Sequence, residues 1–189
     1  MKALILDGTT CDNSILKIAR EYIEAMVKDA QWERTSFTLR DIKIDHCLGC
    51  FSCWHKTPGV CIIDDVGRNI AQHETESDFW IFLTPVTFGG YSSELKKAID
   101  RTIPFILPYF MRVKGEIHHT PRYKKRPHLV VLGSIEKPDP ISEEIFKTLV
   151  YRNFINFHCS SETCKILAEK EDKNKILETV KEIFSEFGT

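Results

Sequence analysis

Short apolar runs alternate along the chain with segments in which apolar residues recur every three or four positions. The first run, Ala3–Leu6, is uninterrupted and is followed by Asp7-Gly8. Phe79–Leu83 and Leu129–Leu132 have the same form, and each ends at a turn signal. Uninterrupted runs of this length are typical of strands that are buried on both faces of a parallel sheet. These three runs therefore predict central strands.

Each of these three strands is followed by a segment with helical spacing, and a fourth such segment lies further along the chain. The segments with an apolar stripe at helical intervals are 15–26, 95–106, 145–155 and 176–187. Such stripes predict helices that bury one face. Pro104 and Pro108 are expected to kink or end the second helix. Asp139 and Pro140 supply an N-cap and a first-turn proline for the third.

Strands that alternate with helices predict the α/β fold class, as a three-layer sandwich around a parallel sheet with right-handed crossovers. Weaker signals at 35–39 and 164–168 add two strands to the three central ones. The segment 108–127 shows neither period and is predicted to be an irregular excursion over the surface. Because no repeat or linker interrupts the pattern, residues 1–189 are predicted to form a single domain.

Charge and composition narrow the class of protein. The chain has 189 residues, 42% of them hydrophobic, with 26 Lys and Arg against 27 Asp and Glu. The net charge of −1 argues against a nucleic-acid or anionic-membrane binder, because such proteins need a large excess of cations. No apolar run approaches a membrane span, and Ala3–Leu6 is too short for the core of a signal peptide. We therefore expect a cytoplasmic protein.

Loops at the carboxyl ends of the central strands are the expected ligand site, because open parallel sheets bind ligands there. The first loop holds Thr9, Asn13 and Ser14 at a predicted helix N-terminus. Hydroxyl, amide and backbone donors at such a place suit a phosphate group. The same residue types also serve as helix caps, so capping alone is an alternative interpretation.

The second loop combines a proline turn, two glycines and two aromatic residues. Pro85, Gly89 and Gly90 allow the backbone to turn sharply and to approach a ligand closely. Phe88 and Tyr91 add aromatic rings that pack well beside another flat ring. This composition predicts a loop that wraps a flat ring and offers backbone donors to its polar edge.

Four of the seven cysteines are clustered in the pattern C-x2-C-x2-C-x7-C. They are Cys47, Cys50, Cys53 and Cys61. Three thiolates this close together suit iron–sulfur ligation, whereas four thiolates also suit a closed zinc site. The third alternative is a loop of free thiols, because cysteine is among the most readily buried residues.

Several motifs together resemble the NADPH-dependent FMN reductase family, within the flavodoxin-like fold. The motifs are Thr84-Pro85-Val86, Gly89-Gly90, Ser93-Glu94-Leu95-Lys96 and Ala98-Ile99-Asp100-Arg101. They are similar to the flavin-ring loop of that family and to the helix behind it. The resemblance implies a flavodoxin-like three-layer α/β/α sandwich with a five-stranded parallel sheet in the order 2-1-3-4-5.

The resemblance also implies bound FMN, with NAD(P)H as co-substrate. Thr9, Asn13 and Ser14 match phosphate-binding positions, although relatives often have an arginine and a longer turn in this loop. The residues that match the segment along the ribityl chain and the ring edge are Pro85, Val86, Thr87, Phe88 and Gly89. Gly133 and Ser134 match a third strand-end loop near the ring. The flavin then does the chemistry, and no side chain is assigned a catalytic role.

The implied function is an FMN-dependent NAD(P)H oxidoreductase that passes electrons to a quinone, flavin or iron–sulfur acceptor. The aromatic and basic excursion from Pro104 to Pro127 predicts a homodimer or homotetramer, because a monomer of this size has little reason to carry it. Two alternatives remain open: a non-catalytic flavodoxin-like electron carrier, and a cysteine-based redox or metal sensor. The near-zero charge is against the carrier, because carriers dock through strong charge.

Residues 47–61, here called the cysteine segment, are similar to a branch of the family that contains iron–sulfur flavoproteins and their cluster-free relatives. In the first case the four clustered cysteines would ligate a [4Fe–4S] cluster. The long x7 gap and the Trp54–Gly59 turn are closer to the cluster-free relatives. The sequence therefore favours free thiols over a cluster, and a cluster over zinc.

Overall fold

Strands alternate with helices through the part of the chain that the structure, a computed structural model, describes: residues 1–11, 14–185 and 187. The strands are β1 (Lys2–Asp7), β2 (Glu33–Thr38), β3 (Phe79–Pro85), β4 (Ile106–Val113), β5 (Glu116–Pro121), β6 (His128–Ile135) and β7 (Ser161–Ala168). The helices are α1 (Ser14–Asp29), α2 (Ser52–His55), α3 (Val66–Glu76), α4 (Ser93–Asp100), α5 (Pro140–Asn156) and α6 (Lys173–Ser185). Short 3₁₀ turns lie at Leu39–Asp41 and Ile103–Phe105. None of these helices is long and apolar enough to cross a membrane.

Five strands form one parallel sheet in the order β2-β1-β3-β6-β7. Since β6 and β7 are the fourth and fifth strands of this sheet along the chain, the predicted 2-1-3-4-5 order is confirmed. Asp7 at the end of β1 lies opposite Thr38 of β2 and Leu83 of β3. This register brings the carboxyl ends of neighbouring strands to one edge of the sheet.

Alternate residues of the central strands face two separate apolar layers. Ile5 and Ile81 belong to the layer that packs against α1 and α6. Leu4 and Phe82 belong to the layer that packs against α4 and α5. All four side chains are buried. Burial on both faces explains why these strands are continuous apolar runs in the sequence.

The predicted start of α5 is confirmed, whereas the helix predicted over 95–106 is shorter: α4 ends at Asp100, and Ile106 begins β4. The Asp139 side chain accepts hydrogen bonds from the N–H groups of Ile141 and Ser142, and Pro140 occupies the first turn of α5. α4 ends before Pro104, which lies in a 3₁₀ turn. The sequence analysis did not predict α2 and α3, because α2 is only one turn long and most residues of α3 are polar.

The segment 108–127, predicted to be irregular, contains most of a β-hairpin instead. β4 and β5 pair antiparallel, with Val113 opposite Glu116. Lys114 and Gly115 connect them, and both have positive φ, at 48° and 85°. Two-residue connections of this conformation match the twist of paired strands, but they usually contain Asn-Gly or Asp-Gly. The lysine therefore gives the sequence only a weak turn signal.

Polar contacts dock the hairpin on α5. Glu116 accepts hydrogen bonds from Arg152 at 2.8 and 2.7 Å. The Nδ1 atom of His118 lies 2.8 Å from Oδ1 of Asn156, and its Nε2 atom lies 2.9 Å from Glu116. The hairpin is therefore held against the sandwich through side chains that the sequence alone does not connect.

Acid is expected to weaken this docking. Hydrogen bonds from Arg152 and His118 lower the pKa of Glu116 to about 2. A carboxyl group with a lowered pKa stabilises the folded state above its ordinary value of 4.5, and this contribution is lost as the pH falls towards 2. The difference in melting temperature between the protein and its Glu116→Gln variant should therefore shrink over this range in thermal scans. A difference that does not change with pH would contradict this assignment.

Candidate functional site

Hydrogen bonds join the three predicted strand-end loops at the carboxyl edge of the sheet. The N–H of Gly8 donates to the Leu83 carbonyl at 2.8 Å, and the Ser92 hydroxyl donates to the Gly8 carbonyl. The N–H of Val86 donates to the carbonyl of Ser134, a buried residue, at 2.8 Å. The loops after β1 and β3 and the carboxyl end of β6 therefore form one continuous surface. Gly133 and Ser134, predicted to lie in the third loop, are part of β6 instead, because both pair with its neighbouring strands.

The first loop is braced by buried polar contacts. Thr9 donates to Oδ1 of Asp7 through both its hydroxyl, at 2.7 Å, and its N–H, at 3.0 Å. Oδ2 of Asp7 accepts a hydrogen bond from Arg20 at 2.8 Å. A Cβ on Gly8 would lie 2.5 Å from Cβ of Leu95, so only glycine lets the loop pass this close to α4. Thr9 thus holds the loop in shape, and its contact with a phosphate stays a prediction.

Arg40, which the sequence analysis did not select, reaches the first loop from the segment after β2. Its guanidinium donates to the Cys11 carbonyl at 2.6 Å and to the Thr9 hydroxyl at 3.3 Å. The parallel register explains this approach, because Asp7 lies opposite Thr38 and the residues after both strands reach the same edge. The first loop contains no cation in the sequence, but the fold supplies one.

The other two predicted phosphate ligands are described in part or not at all. Asn13 lies outside the described residues. Ser14 is the first residue of α1, although its side chain lies outside the description. The amino end of a helix favours an anion. Contacts of both residues with a phosphate stay predictions.

A tight turn over 87–90 presents the predicted ring-binding residues directly after Pro85, the last residue of β3. The N–H groups of Thr87 and Gly90 donate to each other's carbonyls at 2.9 Å. Phe88 and Gly89 at the tip have positive φ values of 50° and 72°. Bulky residues rarely adopt this conformation, and such strain is concentrated at functional sites. The Phe88 side chain is fully exposed, and neither tip N–H finds an acceptor among the described residues.

Two predicted ligand-binding glycines also have packing roles. A Cβ on Gly89 would lie 2.8 Å from Cγ2 of Ile145 on α5. A Cβ on Gly133 would lie 3.0 Å from Cγ2 of Val86 and 3.1 Å from the Phe146 ring. These glycines therefore let the loop after β3 pack closely on β6 and α5. Their direct contact with a flavin stays a prediction.

All four clustered cysteines line one cavity of about 280 Å³. Cys47 and Cys50 are exposed, Cys53 is buried and Cys61 is half-buried. Among the described residues, no three His, Cys, Asp or Glu side chains are arranged to hold a single metal ion. All four thiols therefore border the same space.

The surroundings shift the pKa values of two of these thiols in opposite directions. Hydrogen bonds from the Ser52 hydroxyl and N–H lower the pKa of Cys50. Burial and the neighbouring thiols, first that of Cys61, raise the pKa of Cys53. Phe51, with φ 53°, stands in the left-handed region directly before α2. Successive N–H groups in such a conformation form a concavity that favours negative charge.

A buried ion pair holds both ends of the cysteine segment. Arg101, directly after α4, pairs with Asp65 at 2.8 Å, and the two side chains are 1% and 13% exposed. Arg101 also donates to the carbonyls of Asp45 at 2.8 Å and Ile63 at 3.2 Å. Asp65 accepts a hydrogen bond from the Asp45 N–H at 2.9 Å. Although burial opposes ionisation, these hydrogen bonds lower the pKa of Asp65. A Cβ on Gly67 would crowd the guanidinium carbon at 3.1 Å, so glycine makes room for the pair.

Trp54 connects the cysteine segment to the hairpin. Its indole N–H donates to the Ile106 carbonyl at 3.0 Å. Its ring stacks on Phe51, with centroids 4.8 Å apart, and packs against His119 at 4.9 Å. The cysteine segment and the hairpin therefore form one continuous surface.

This fold, with three linked loops at the carboxyl edge of a parallel sheet, defines a flavodoxin-like protein. Residues 1–135 match the NADPH-dependent FMN reductase family, which is 135 of 189 residues. The chain belongs to this family, as its motifs predicted.

Two archaeal iron–sulfur flavoproteins are similar in sequence. The one from Methanocaldococcus jannaschii is 36% identical over 116 residues, which cover 60% of this chain and 58% of that protein. The one from Archaeoglobus fulgidus is 25% identical over 131 residues, which cover 66% of this chain and 52% of that protein. The chain therefore spans little more than half the length of these curated relatives.

Solved structures share the fold at much lower identity. An NAD(P)H:quinone oxidoreductase from Methanothermobacter marburgensis has a TM-score of 0.70 at 12% identity, covering 100% of this chain and 98% of that one. An FMN-dependent NADH-azoreductase from Bacillus anthracis, in complex with FMN, has a TM-score of 0.66 at 14% identity and covers 100% of both chains. These likenesses confirm the flavodoxin-like architecture.

Proposed function

We propose that the protein is an FMN-dependent oxidoreductase that takes electrons from NAD(P)H and passes them to a quinone, flavin or iron–sulfur acceptor. The observation that carries this proposal is the turn over 87–90, where two N–H groups without an acceptor among the described residues flank an exposed phenyl ring. Membership of the NADPH-dependent FMN reductase family supports both cofactor and co-substrate. FMN, when bound, supplies the two-electron chemistry.

The residues of the chain then bind and orient the flavin. The N–H groups of Phe88 and Gly89 would donate hydrogen bonds to the polar edge of the ring. Neither group donates to an acceptor among the described residues. Pro85, Val86 and Thr87 would follow the ribityl chain. The residues assigned to the phosphate end are Thr9, Asn13, Ser14 and Arg40. Gly133 and Ser134 would support the ring loop from β6.

Arg40→Gln is expected to weaken FMN binding by about tenfold or more. A hydrogen bond from a charged donor to a phosphate contributes about 1.5–3 kcal/mol, and each 1.4 kcal/mol is about tenfold in Kd. Fluorescence titration of the apoprotein with FMN measures the change. Arg34→Gln is a matched control. Arg34 lies on β2, the strand that precedes Arg40, and its guanidinium pairs with Glu24 at 2.8 Å. Equal dissociation constants for the two variants would contradict the assignment of Arg40.

Turnover separates the proposed enzyme from its two alternatives. The purified protein should oxidise NADPH rapidly in the presence of a small quinone. A non-catalytic carrier would accept electrons from another enzyme but would not oxidise NADPH itself. A cysteine-based sensor would respond to oxidants without catalytic turnover. Absence of quinone-dependent NAD(P)H oxidation in FMN-loaded protein would therefore overturn the proposal.

We further propose that the four clustered cysteines hold a [4Fe–4S] cluster. Support comes from the single cavity that all four line, and from a backbone conformation beside it that favours negative charge. Thiols arranged around a space suit a group of several atoms better than one zinc ion. The iron–sulfur flavoproteins among the relatives point the same way. The cavity thus outweighs the long x7 gap, which favours free thiols in the sequence alone. A cluster, when bound, passes electrons singly.

A homodimer or homotetramer is expected, because the segment predicted as an excursion exposes apolar residues. The hairpin exposes Tyr109, Phe110 and Ile117, which are between 67% and 71% accessible, and Leu48 of the cysteine segment is 72% accessible. Continuous exposed apolar area of this kind marks an interaction surface. Sedimentation at micromolar concentration should show an oligomer, and Phe110→Ser should weaken it. A monomer with FMN bound would refute the prediction.

A further inference from the structure

Arg101, which holds both ends of the cysteine segment, also lines the cavity of the four clustered cysteines. Its side chain is 1% exposed. A guanidinium group is always charged in proteins and carries five N–H donors in a fixed planar fork. Because buried donors need acceptors, each of the five requires a partner in the protein or in a bound group.

The protein itself satisfies four of these five donors. Nη1 of Arg101 donates to the Asp45 carbonyl at 2.8 Å and to Oδ2 of Asp65 at 2.9 Å. Nη2 donates to the Ile63 carbonyl at 3.2 Å and to Oδ1 of Asp65 at 2.8 Å. These contacts hold both terminal nitrogens, so they fix the plane of the guanidinium group and leave the Nε–H group for another acceptor.

The Nε atom of Arg101 is buried and has no hydrogen-bond partner among the described residues. A buried donor without an acceptor is costly. An acceptor that arrives with a bound group would therefore stabilise the site.

The sulfur of Cys61 is the acceptor that the cavity offers to this donor. Cys61 lines the same cavity as Arg101. Although burial opposes its ionisation, hydrogen bonding to Asp65 and the charge of Cys61 raise the pKa of Arg101, which indicates that the two side chains lie close together. A neutral thiol is a weak acceptor, whereas a metal-bound cysteine is a thiolate and accepts a charge-assisted hydrogen bond. The unpartnered donor therefore fits a cysteine segment that holds a metal cluster.

We propose that the Nε–H group of Arg101 donates a hydrogen bond to the sulfur of Cys61 when the cysteine segment holds its cluster, and that this contact raises the reduction potential of the cluster. The inference rests on the proposed [4Fe–4S] cluster and makes Arg101 a positioning residue that acts through Cys61. Reduction adds one electron to a site that already carries four thiolates. A cation and a hydrogen bond to a ligand sulfur stabilise this additional negative charge, so they favour the reduced form.

Arg101→Lys tests this contact while keeping the positive charge. Lysine has a methylene group where arginine has Nε, and its ammonium group can still pair with Asp65. In this variant, the ratio of reduced to oxidised cluster at a fixed potential should fall by about tenfold, equivalent to about 59 mV for a one-electron couple. Redox titration with dithionite, followed through the EPR signal of the reduced cluster, measures the ratio. Iron and sulfide per chain should not change.

Arg68→Lys is the matched control. Arg68 also has a charged partner, Asp64 at 2.8 Å, and its Nε–H group donates at 2.8 Å to the carbonyl of Cys61 rather than to a sulfur. The same substitution therefore removes an Nε–H donor beside the same cysteine, but from its backbone. The ratio should stay within about twofold of that in the unmodified protein, because no ligand sulfur loses a hydrogen bond.

A direct measurement on the unmodified protein covers the case in which Arg101→Lys loses its iron. With arginine isotopically labelled at the Nε nitrogen, pulsed EPR of the reduced protein should detect a coupling between the cluster and the labelled nitrogen. The coupling should persist in Arg68→Lys, because the Nε–H group of Arg68 does not donate to a sulfur.

The outcomes separate this contact from the proposed cluster. A redox ratio that is unchanged in Arg101→Lys, or that falls equally in Arg68→Lys, would overturn the role of Arg101 and leave the cluster standing. Absence of the nitrogen coupling would do the same. Absence of stoichiometric iron and sulfide from anaerobically prepared unmodified protein would reject both the cluster and the contact. Because dithionite is the reductant, none of these results depends on oxidation of NAD(P)H.

Discussion

Replacing Arg101 with leucine is expected to lower the free energy of unfolding by about 3 kcal/mol or more. The Arg101 side chain is 1% exposed, and its loss leaves the Asp65 carboxylate, 13% exposed, without its partner. Removing one member of a buried ion pair typically costs about 3–5 kcal/mol, because a desolvated charge remains. Chemical denaturation followed by circular dichroism measures the loss.

The same substitution is expected to release the cysteine segment. Arg101 donates to the carbonyls of Asp45 and Ile63, which flank the four clustered cysteines. Without these hydrogen bonds, Cys53, which is buried, should react with a thiol reagent much faster than in the unmodified chain when both proteins have been freed of iron. The rate of labelling of Cys53 under native conditions measures this effect separately from global unfolding.

Lys96→Met is the matched control for both measurements. Lys96 lies on α4 and pairs with Asp100 at 2.5 Å, but the two side chains are 52% and 47% exposed. Exposed pairs on a helix contribute about 0.3–0.5 kcal/mol, so little change is expected. Similar losses of stability and similar labelling rates in the two variants would contradict the clamp that we assign to Arg101.

Cys50→Ser is expected to remove stoichiometric iron from anaerobically purified protein while FMN remains bound. A [4Fe–4S] cluster held by four cysteines contains roughly four iron and four sulfide per chain. Loss of one ligand should abolish both, since a serine hydroxyl is a poor ligand for the cluster. The proposed FMN contacts lie on the loops after β1 and β3 and at the carboxyl end of β6, so flavin content should not change. Iron and acid-labile sulfide assays, with a visible absorption spectrum, measure the result.

Cys164→Ser provides the control for the cluster. Cys164 lies on β7, outside the cysteine segment, and burial raises its pKa to about 12. This variant should keep the iron and sulfide of the unmodified protein. If anaerobically prepared unmodified protein contains neither in stoichiometric amount, the four cysteines are free thiols. Quinone-dependent NADPH oxidation should then survive Cys50→Ser.

Local sequence pattern determined the sandwich and the edge of the sheet at which a ligand is predicted to bind. The runs Ala3–Leu6, Phe79–Leu83 and Leu129–Leu132 became β1, β3 and β6, because burial on both faces requires apolar residues at every position. Turn and cap residues directly after these runs marked the loops that converge at the carboxyl edge. The parallel order of the strands makes this convergence unavoidable, so no side-chain detail was needed to predict it.

Interactions between distant segments could not be predicted in this way. Arg40 approaches the first loop across 29 residues, and Arg101 reaches Asp65 across 36 and Asp45 across 56. Hydrophobic periodicity carries no information on such pairs, because they depend on strand register and on where a helix ends. The hairpin was missed for a related reason: its turn is Lys114-Gly115, whose positive φ values are stabilised by strand pairing rather than by a strong local preference.

The cysteine segment shows most clearly which features the sequence predicts and which depend on tertiary structure. The spacing alone brings three thiols near one another, and it left a cluster, zinc and free thiols as alternatives. Only the fold places Cys61 on the same cavity as the other three, since Arg101 of the neighbouring helix joins residues 45 and 63. By itself the sequence determined the family, from its motifs, and the sheet with the loops after β1 and β3, which follow from short-range burial and turn preferences. The charge beside the first loop and the clamp on the cysteines were decided by tertiary packing, because desolvation and ion pairing arise only when distant segments meet.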